Sequence, residues 1–408
     1  MHHKQATAYL QLSCFGCLNS RLGTVCTRVI SQYCILTPIP SPKNMRMLKS
    51  LFATTAVALL SIATATNSHA QGITVPRPSA AATVTQTIGI STVTVKYSRP
   101  SVKGREVWGK LVPYGYNVQP FGAQNAAPWR AGANENTTIE FSHDAKVQGQ
   151  TVPAGTYGLT FVVNSDNSTG EVILSKDSRS WGSFFYDPAH DQMRAKIQLR
   201  DIPMTELLTY DFLNVDQNSG EVVLNWEKKQ FPVKIEFATN DIVMANANEE
   251  LKNVIGFTPQ GFASAANYAL QNKTHYEDGI KWIDQAIAQN KTFAYLNTKA
   301  GLLRAMGKGD DADKLMADGI AIASEIELNN YGYQLLLGGQ VDKGIEILTL
   351  NTKRHPESAN VWDSLGEAYA TKGDKDNAIK NFKKSLTLNP APLVKANSEK
   401  FLKQLGAM

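Results

Sequence analysis

Two stretches concentrate the side chains that could hold a ligand or carry chemistry. Between Ser98 and Asn136 lie Arg99, Lys103, Arg105, Trp108, Trp129, Arg130 and Glu135, interrupted by glycine and proline and following neither a two-residue nor a 3.6-residue period. A long aperiodic loop is where a rigid scaffold can build a site. Guanidinium forks match carboxylate and phosphate geometry, and indole rings beside them suit a sugar or an organic anion. The structural alternative has the aromatics capping one end of the scaffold and the arginines solvated or paired with Glu106 and Glu135.

The second stretch is Asp187-Pro-Ala-His190-Asp191, with Arg194 just beyond. Neutral imidazole and carboxylate both ligate divalent cations and exchange protons, so Asp187, His190 and Asp191 form a candidate metal or acid and base group. The same composition makes an ordinary turn in which Asp187 bonds its own backbone. No serine nucleophile elbow and no phosphate-cradling glycine loop occurs. The reading therefore leans away from an enzyme, and no cofactor is expected.

The beginning of the chain changes what the composition means. Met45-Arg-Met-Leu-Lys precedes an uncharged apolar run from Leu51 to Ala65, then Ser68-His69-Ala70. That is the order of a secretory signal peptide over residues 45–70, with cleavage expected before Gln71. The apolar run is short for a membrane span. Residues 1–44 stand in front of this complete signal and read as an over-extended start. All four cysteines, Cys14, Cys17, Cys26 and Cys34, lie in that stretch, so the chain after residue 70 has neither a disulfide nor a thiol nucleophile. Residues 1–70 also hold six basic residues and no acid; the 41 basic residues against 36 acids become 35 against 36, and the net charge of +5 becomes about −1. Nucleic acid is not an expected partner. A periplasmic or secreted protein without a stable span is.

Residues 71–247 alternate with a period of two. Val84 to Ile88, Thr92 to Tyr97, Thr137 to Phe141, Thr156 to Val163, Glu171 to Leu174, Ala195 to Leu199, Leu207 to Phe212, Glu221 to Trp226 and Val233 to Phe237 are rich in β-branched and aromatic residues. Nine such segments with no helical pattern between them predict an antiparallel β-sandwich or jelly roll. Asn164 to Gly170 and Asp216 to Gly220 read as hairpin turns.

Several motifs here resemble one family: Pro76-Arg-Pro78, Lys96-Tyr97-Ser98-Arg99-Pro100, Lys103-Gly104-Arg105, Leu111-Val112-Pro113-Tyr114-Gly115, Trp129-Arg130-Ala-Gly132-Ala-Asn134-Glu135, Pro153-Ala-Gly155-Thr156-Tyr157-Gly158 and Tyr186-Asp187-Pro188. Together they resemble the bacterial envelope family called domain of unknown function 2911, over roughly residues 71–237. Against that pattern, Tyr116 to Pro128 is extra loop. The resemblance implies an exported β-rich domain, sometimes followed by helical repeats, and implies no activity.

From residue 248 the period becomes helical. Trp362, Leu365, Gly366, Tyr369, Ala378, Phe382 and Pro390 carry the signature of a tetratricopeptide repeat. Stepping back 34 residues puts Gly332, Leu335, Gly344, Leu348 and Pro356 in the same roles; further steps reach Ala312 and Met316, then Gly279 and Ile283. Four helix hairpins are predicted, about residues 258–290, 292–324, 326–357 and 359–390, followed by a capping helix, which makes an all-α solenoid of residues 248–408. The resemblance implies a partner groove lined by Ser264, Tyr268, Gln271, Asn297, Arg304, Asn329, Tyr333, Asp363 and Glu367. These observations predict an exported protein-binding or scaffolding module of the cell envelope, with a protein or peptide partner in the groove. The alternative is a carbohydrate- or anion-binding domain, or a hydrolytic enzyme, with its site on the loop from Arg99 to Glu135.

Overall fold

A computed structural model describes residues 75–408; residues 1–44 with their four cysteines, the expected leader and residues 71–74 lie outside the described residues. The β region contains twelve strands: β1 (Ala80–Ile88), β2 (Ser91–Arg99), β3 (Asn117–Val118), β4 (Ala126–Ala127), β5 (Thr138–Phe141), β6 (Ala145–Val147), β7 (Gln150–Val152), β8 (Gly155–Val163), β9 (Thr169–Ser175), β10 (Asp191–Gln198), β11 (Arg200–Leu213) and β12 (Ser219–Glu236). They form a six-stranded sheet in the order β1-β2-β5-β8-β9-β10, a four-stranded sheet in the order β11-β12-β6-β7, and the small β3-β4 ribbon. Every ladder is antiparallel.

The core follows from alternation. Val93 and Val95 of β2, Ile139 of β5 and Leu159 and Phe161 of β8 join Leu224, Trp226, Phe231 and Val233 of β12 in one buried cluster, so the large sheets pack face to face as a sandwich. Strand β8 breaks the alternation and is buried continuously from Tyr157 to Val163. Its second face is covered too: Val162 and Ile173 pack with Ala127 and Tyr186. The segment from Tyr116 to Pro128 thus lays its β3-β4 ribbon against the back of the six-stranded sheet.

Two expected segments, Glu221 to Trp226 and Val233 to Phe237, belong to one strand. β12 runs 18 residues through Glu227, where φ is +55° and the register with β11 shifts. A bulge of this kind bends a strand without ending it, so the polar run from Glu227 to Gln230 resembles a turn in sequence. Short β6 and β7 escape periodicity because three residues do not establish a period. The two expected hairpin turns share one construction: Asp166 accepts from Ser168 N (2.9 Å) and Thr169 N (3.0 Å), and Asp216 from Asn218 N and Ser219 N, both 2.7 Å. These backbone donors hold both carboxyls below the usual carboxylate range.

Ten α-helices follow among the described residues: α1 (Thr239–Glu250), α2 (Pro259–Gln271), α3 (Tyr276–Gln289), α4 (Phe293–Ala305), α5 (Gly309–Ile322), α6 (Glu325–Leu337), α7 (Val341–Arg354), α8 (Ala359–Lys372), α9 (Lys375–Leu386) and α10 (Pro392–Gln404). Only two residues separate the end of β12 from the start of helix α1, so Ala247 falls inside a helix. With almost no apolar stripe, α1 gave no periodic signal. It is seated on the β11-β12 turn, where Thr239 Oγ1 donates to Gln217 O (2.9 Å) and Ile242 packs on the sandwich core.

Helices α2 to α9 pair as hairpins through the expected interlocking of small and large residues. A Cβ on Gly366 would come within 2.8 Å of the Phe382 ring, and one on Gly332 within 2.6 Å of Leu348. Trp362 Nε1 donates to Pro356 O (2.9 Å), tying α8 to the preceding linker. No helix of the described residues is long and apolar enough to cross a membrane.

Candidate functional site

The loop between β2 and β5 divides into packing and cleft. Trp108 is buried and belongs to the core: its ring meets Trp226 at 5.9 Å, Trp129 at 5.8 Å and Phe231 at 5.3 Å, and its Nε1 donates to Glu227 Oε2 (3.2 Å). Arg99 turns to β11, donating to Leu208 O (3.0 Å) and Thr209 Oγ1 (2.6 Å). Glu135 pairs with Arg77 at the surface, which holds its carboxyl below the usual range. These three do not line the cleft. Lys103, Arg105, Trp129 and Arg130 do.

The cleft has a volume of about 800 Å³. Its walls come from the segment before β1, the turn after β2, the β3-β4 ribbon, the stretch from Trp129 to Asn134, the Ser183 loop and Trp226 of β12. Trp129 joins wall to core: it exchanges backbone hydrogen bonds with Phe161 (2.8 and 2.9 Å) and stacks on Trp226 at 5.7 Å and 16°. Gly132 is required by close approach, since a Cβ there would lie 2.6 Å from Thr137 Oγ1. Ala131 takes a positive φ of 54° and is held by Tyr210 Oη (3.0 Å) and Thr137 Oγ1 (3.2 Å), which both donate to its carbonyl. The backbone beside Arg130 is therefore fixed by the core.

Arg130 is held as well. Its Nη1 donates to Asn134 O (2.8 Å), its guanidinium lies 4.8 Å from the Phe184 ring centre, and burial pulls its pKa below the usual value without discharging it. Gly182, at φ +57°, makes room: a Cβ there would sit 2.6 Å from Arg130 Cζ. Gly182→Ala should expel the guanidinium and destabilise the chain by about 1–2 kcal/mol from the left-handed backbone alone. Thermal denaturation measures this, and an unchanged midpoint would refute it.

Two cleft residues escaped sequence reasoning. Trp226 is 1% exposed and Ser183 5%, and Trp226 Nε1 and Ser183 Oγ have no hydrogen-bond partner among the described residues. An unpaired buried donor costs about 1–3 kcal/mol, so two among the residues lining one cleft need an explanation. The alternation Val222, Leu224, Trp226 identifies the indole as core, but nothing in one strand shows where its N–H ends up.

The candidates from Asp187 to Asp191 diverge. Asp187 caps a short 3₁₀ turn by accepting from Ala189 N (2.9 Å). His190 Nδ1 meets Asp177 Oδ2 at 2.7 Å, which raises the imidazole pKa. Asp191 accepts from Tyr186 Oη (2.9 Å) and from Arg194 Nε. Arg194 continues to Tyr116 Oη (3.2 Å), which donates to Glu171 (2.8 Å). Burial, then Glu171, push the Tyr116 phenol up to about 12. This network fastens the β3-β4 ribbon to β9 and β10. Among the described residues, no three histidine, cysteine or carboxylate side chains are grouped to hold a metal.

In the solenoid, several of the expected groove residues bond to a neighbouring helix. Tyr268 Oη donates to Asn240 Oδ1 (3.0 Å), Asn297 Nδ2 to Gln334 Oε1 (3.3 Å), and Asn397 Nδ2 to Asp363 Oδ2 (2.8 Å) and to Glu367. Thr298 to Asn267 (2.9 Å) is a further rung. Asp363 and Tyr333 are partly withdrawn from water, which raises both pKa values. Asn329 is half-buried, with its Oδ1 unpartnered. Arg304 pairs with Asp313 (2.8 Å) in a hollow of about 200 Å³. Ser264 and Gln271 are exposed.

The fold and the cleft define a two-module protein, an antiparallel β-sandwich with a basic cleft followed by a tetratricopeptide solenoid. The family model described as protein of unknown function (DUF2911) matches the sandwich over residues 79–235, and a tetratricopeptide repeat model matches residues 359–392. No curated protein matches the chain. Similar solved structures include YrrB, described as a TPR protein with an unusual peptide-binding site, at 14% identity over 40% of this chain and 84% of that one, with a TM-score of 0.26. PilF of Pseudomonas aeruginosa is 19% identical over 37% of this chain and 71% of its own, at a TM-score of 0.26. The C-terminal part of a TPR repeat-containing protein from Cytophaga hutchinsonii is 17% identical over 40% and 72%, at 0.27. The repeats suggest a protein-interaction or scaffold role.

Proposed function

We propose that the chain is an exported scaffold of the cell envelope that recruits a protein or peptide partner through its solenoid. The carrying observation is the array of four stacked hairpins, in which side-chain bonds join α1 to α2, α2 to α4, α4 to α6, and α8 to α10. Such an array presents one continuous face at little further entropic cost, because neighbouring helices already order each other's side chains. The bonded residues set the shape of the face, and exposed Ser264 and Gln271 are left to meet a partner. Export is supported by the signal-peptide pattern of residues 45–70 and by the confinement of cysteine to residues 14–34.

Capture from the envelope fraction with the full chain, compared with a Ser264→Arg, Gln271→Arg variant, tests the reading. The variant should lose the partner while melting at the same temperature. An identical captured set would overturn groove binding. N-terminal sequencing of the native product should begin at Gln71; a product retaining Gln11 to Arg28 would overturn the export assignment.

A further inference from the structure

We infer that the sandwich cleft binds a small organic oxyanion, a carboxylate or phosphate ester on a flat or apolar body, held by Lys103, Arg105 and Arg130 and by hydrogen bonds donated from Trp226 Nε1 and Ser183 Oγ. This site is separate from the solenoid face, and its failure would leave the scaffold reading standing.

The first argument is charge. Lys103, Arg105 and Arg130 line the cleft, no lining residue is an aspartate or glutamate, and among the described residues none of the three forms a salt bridge. Surface cations left unpaired around a concave wall raise the local concentration of anions.

The second is the orphaned donors. An indole N–H can only donate, so neither a cation nor another donor can satisfy it. A ligand oxygen can. Ser183, on another segment lining the same cleft, offers a second unpartnered donor.

The third is preorganisation. Arg105 Nε donates to Val102 O (3.0 Å) and its Nη2 to Ser101 O, while Arg130 is fixed by Asn134 O and Phe184. A guanidinium has five N–H groups, so each keeps donors free while its side-chain entropy is already spent. The remaining walls include Pro100, Leu111, Val112, Pro113, Pro128 and the Trp129 ring. Inorganic phosphate would leave that apolar surface wet, whereas a ring or short apolar body would cover it.

The test uses the full chain labelled with ¹⁵N-tryptophan, titrated with phenyl phosphate and with benzoate, with benzyl alcohol and inorganic phosphate as controls. One or both organic anions should shift the Trp226 indole N–H resonance, and the stronger of the two identifies the oxyanion. Lys103→Gln with Arg105→Gln should weaken that titration about tenfold or more with the other indole resonances in place, and Ser183→Ala a few-fold. Raised salt should weaken it further. The inference is overturned if neither organic anion shifts the resonance at millimolar concentration, if benzyl alcohol shifts it equally, or if the double variant binds undiminished. Inorganic phosphate binding as tightly as phenyl phosphate would overturn the organic body.

Discussion

Trp226→Ala is expected to destabilise the sandwich by about 3–5 kcal/mol, the range for emptying a fully buried large aromatic. The indole is 1% exposed and meets Trp129 face to face and Trp108 edge on, while Trp129 and Trp108 each pack on Phe231. The three remaining rings, Trp108, Trp129 and Phe231, cannot close over a cavity of that size, so the cost should lie near the upper end. The cleft wall should be lost with it, because Trp129 keeps its place partly by stacking on Trp226. Chemical denaturation of the full chain, followed by far-ultraviolet dichroism, measures the loss. Trp226→Phe separates packing from the N–H: it keeps an aromatic ring and removes an unpartnered donor, and should cost clearly less. Equal losses for the two variants would show that the ring cluster is not what holds this end of the sandwich.

Phe382→Ala should have an effect of similar size, about 3–5 kcal/mol, confined to the end of the solenoid. Phe382 is fully buried, lies against the backbone of Gly366 and stacks on Phe401 of α10 at 5.0 Å and 11°. Repeats contact only their neighbours, so α8 to α10 should exchange amide hydrogens faster while the sandwich and α2 to α5 keep their protection. Hydrogen exchange by mass spectrometry resolves these regions. Uniform loss of protection would mean that the two modules unfold as one unit. The reciprocal change, Gly366→Ala, drives a methyl into the Phe382 ring at 2.8 Å and should cost about 1–3 kcal/mol by overpacking.

Most of the architecture was legible because both modules bury one face of each element. Alternation in β2, β9 and the first half of β12 exposed the sandwich, and glycine opposite a large residue at 34-residue spacing exposed the last two hairpins. What escaped had no period of its own: the three-residue β6 and β7, the bulge at Glu227, and α1, whose position depends on the turn it caps.

The candidate loop was located by its composition, but its seven named residues serve different ends. Trp108 and Arg99 have the same residue types as Trp129 and Arg130, and a linear chain has no means of separating them. Burial of Trp108 depends on Trp226 and Phe231, more than a hundred residues away, and Arg99 is claimed by the backbone of β11. The sequence by itself determined two modules, their order, the repeat period and the tryptophan- and arginine-rich loop, since these follow from local periodicity and residue type. Only the tertiary structure decided which of those side chains face a shared cleft and that Trp226 and Ser183 stand in its wall without partners. That is because a side chain's solvation and hydrogen bonding are set by whatever distant segments the fold brings against it.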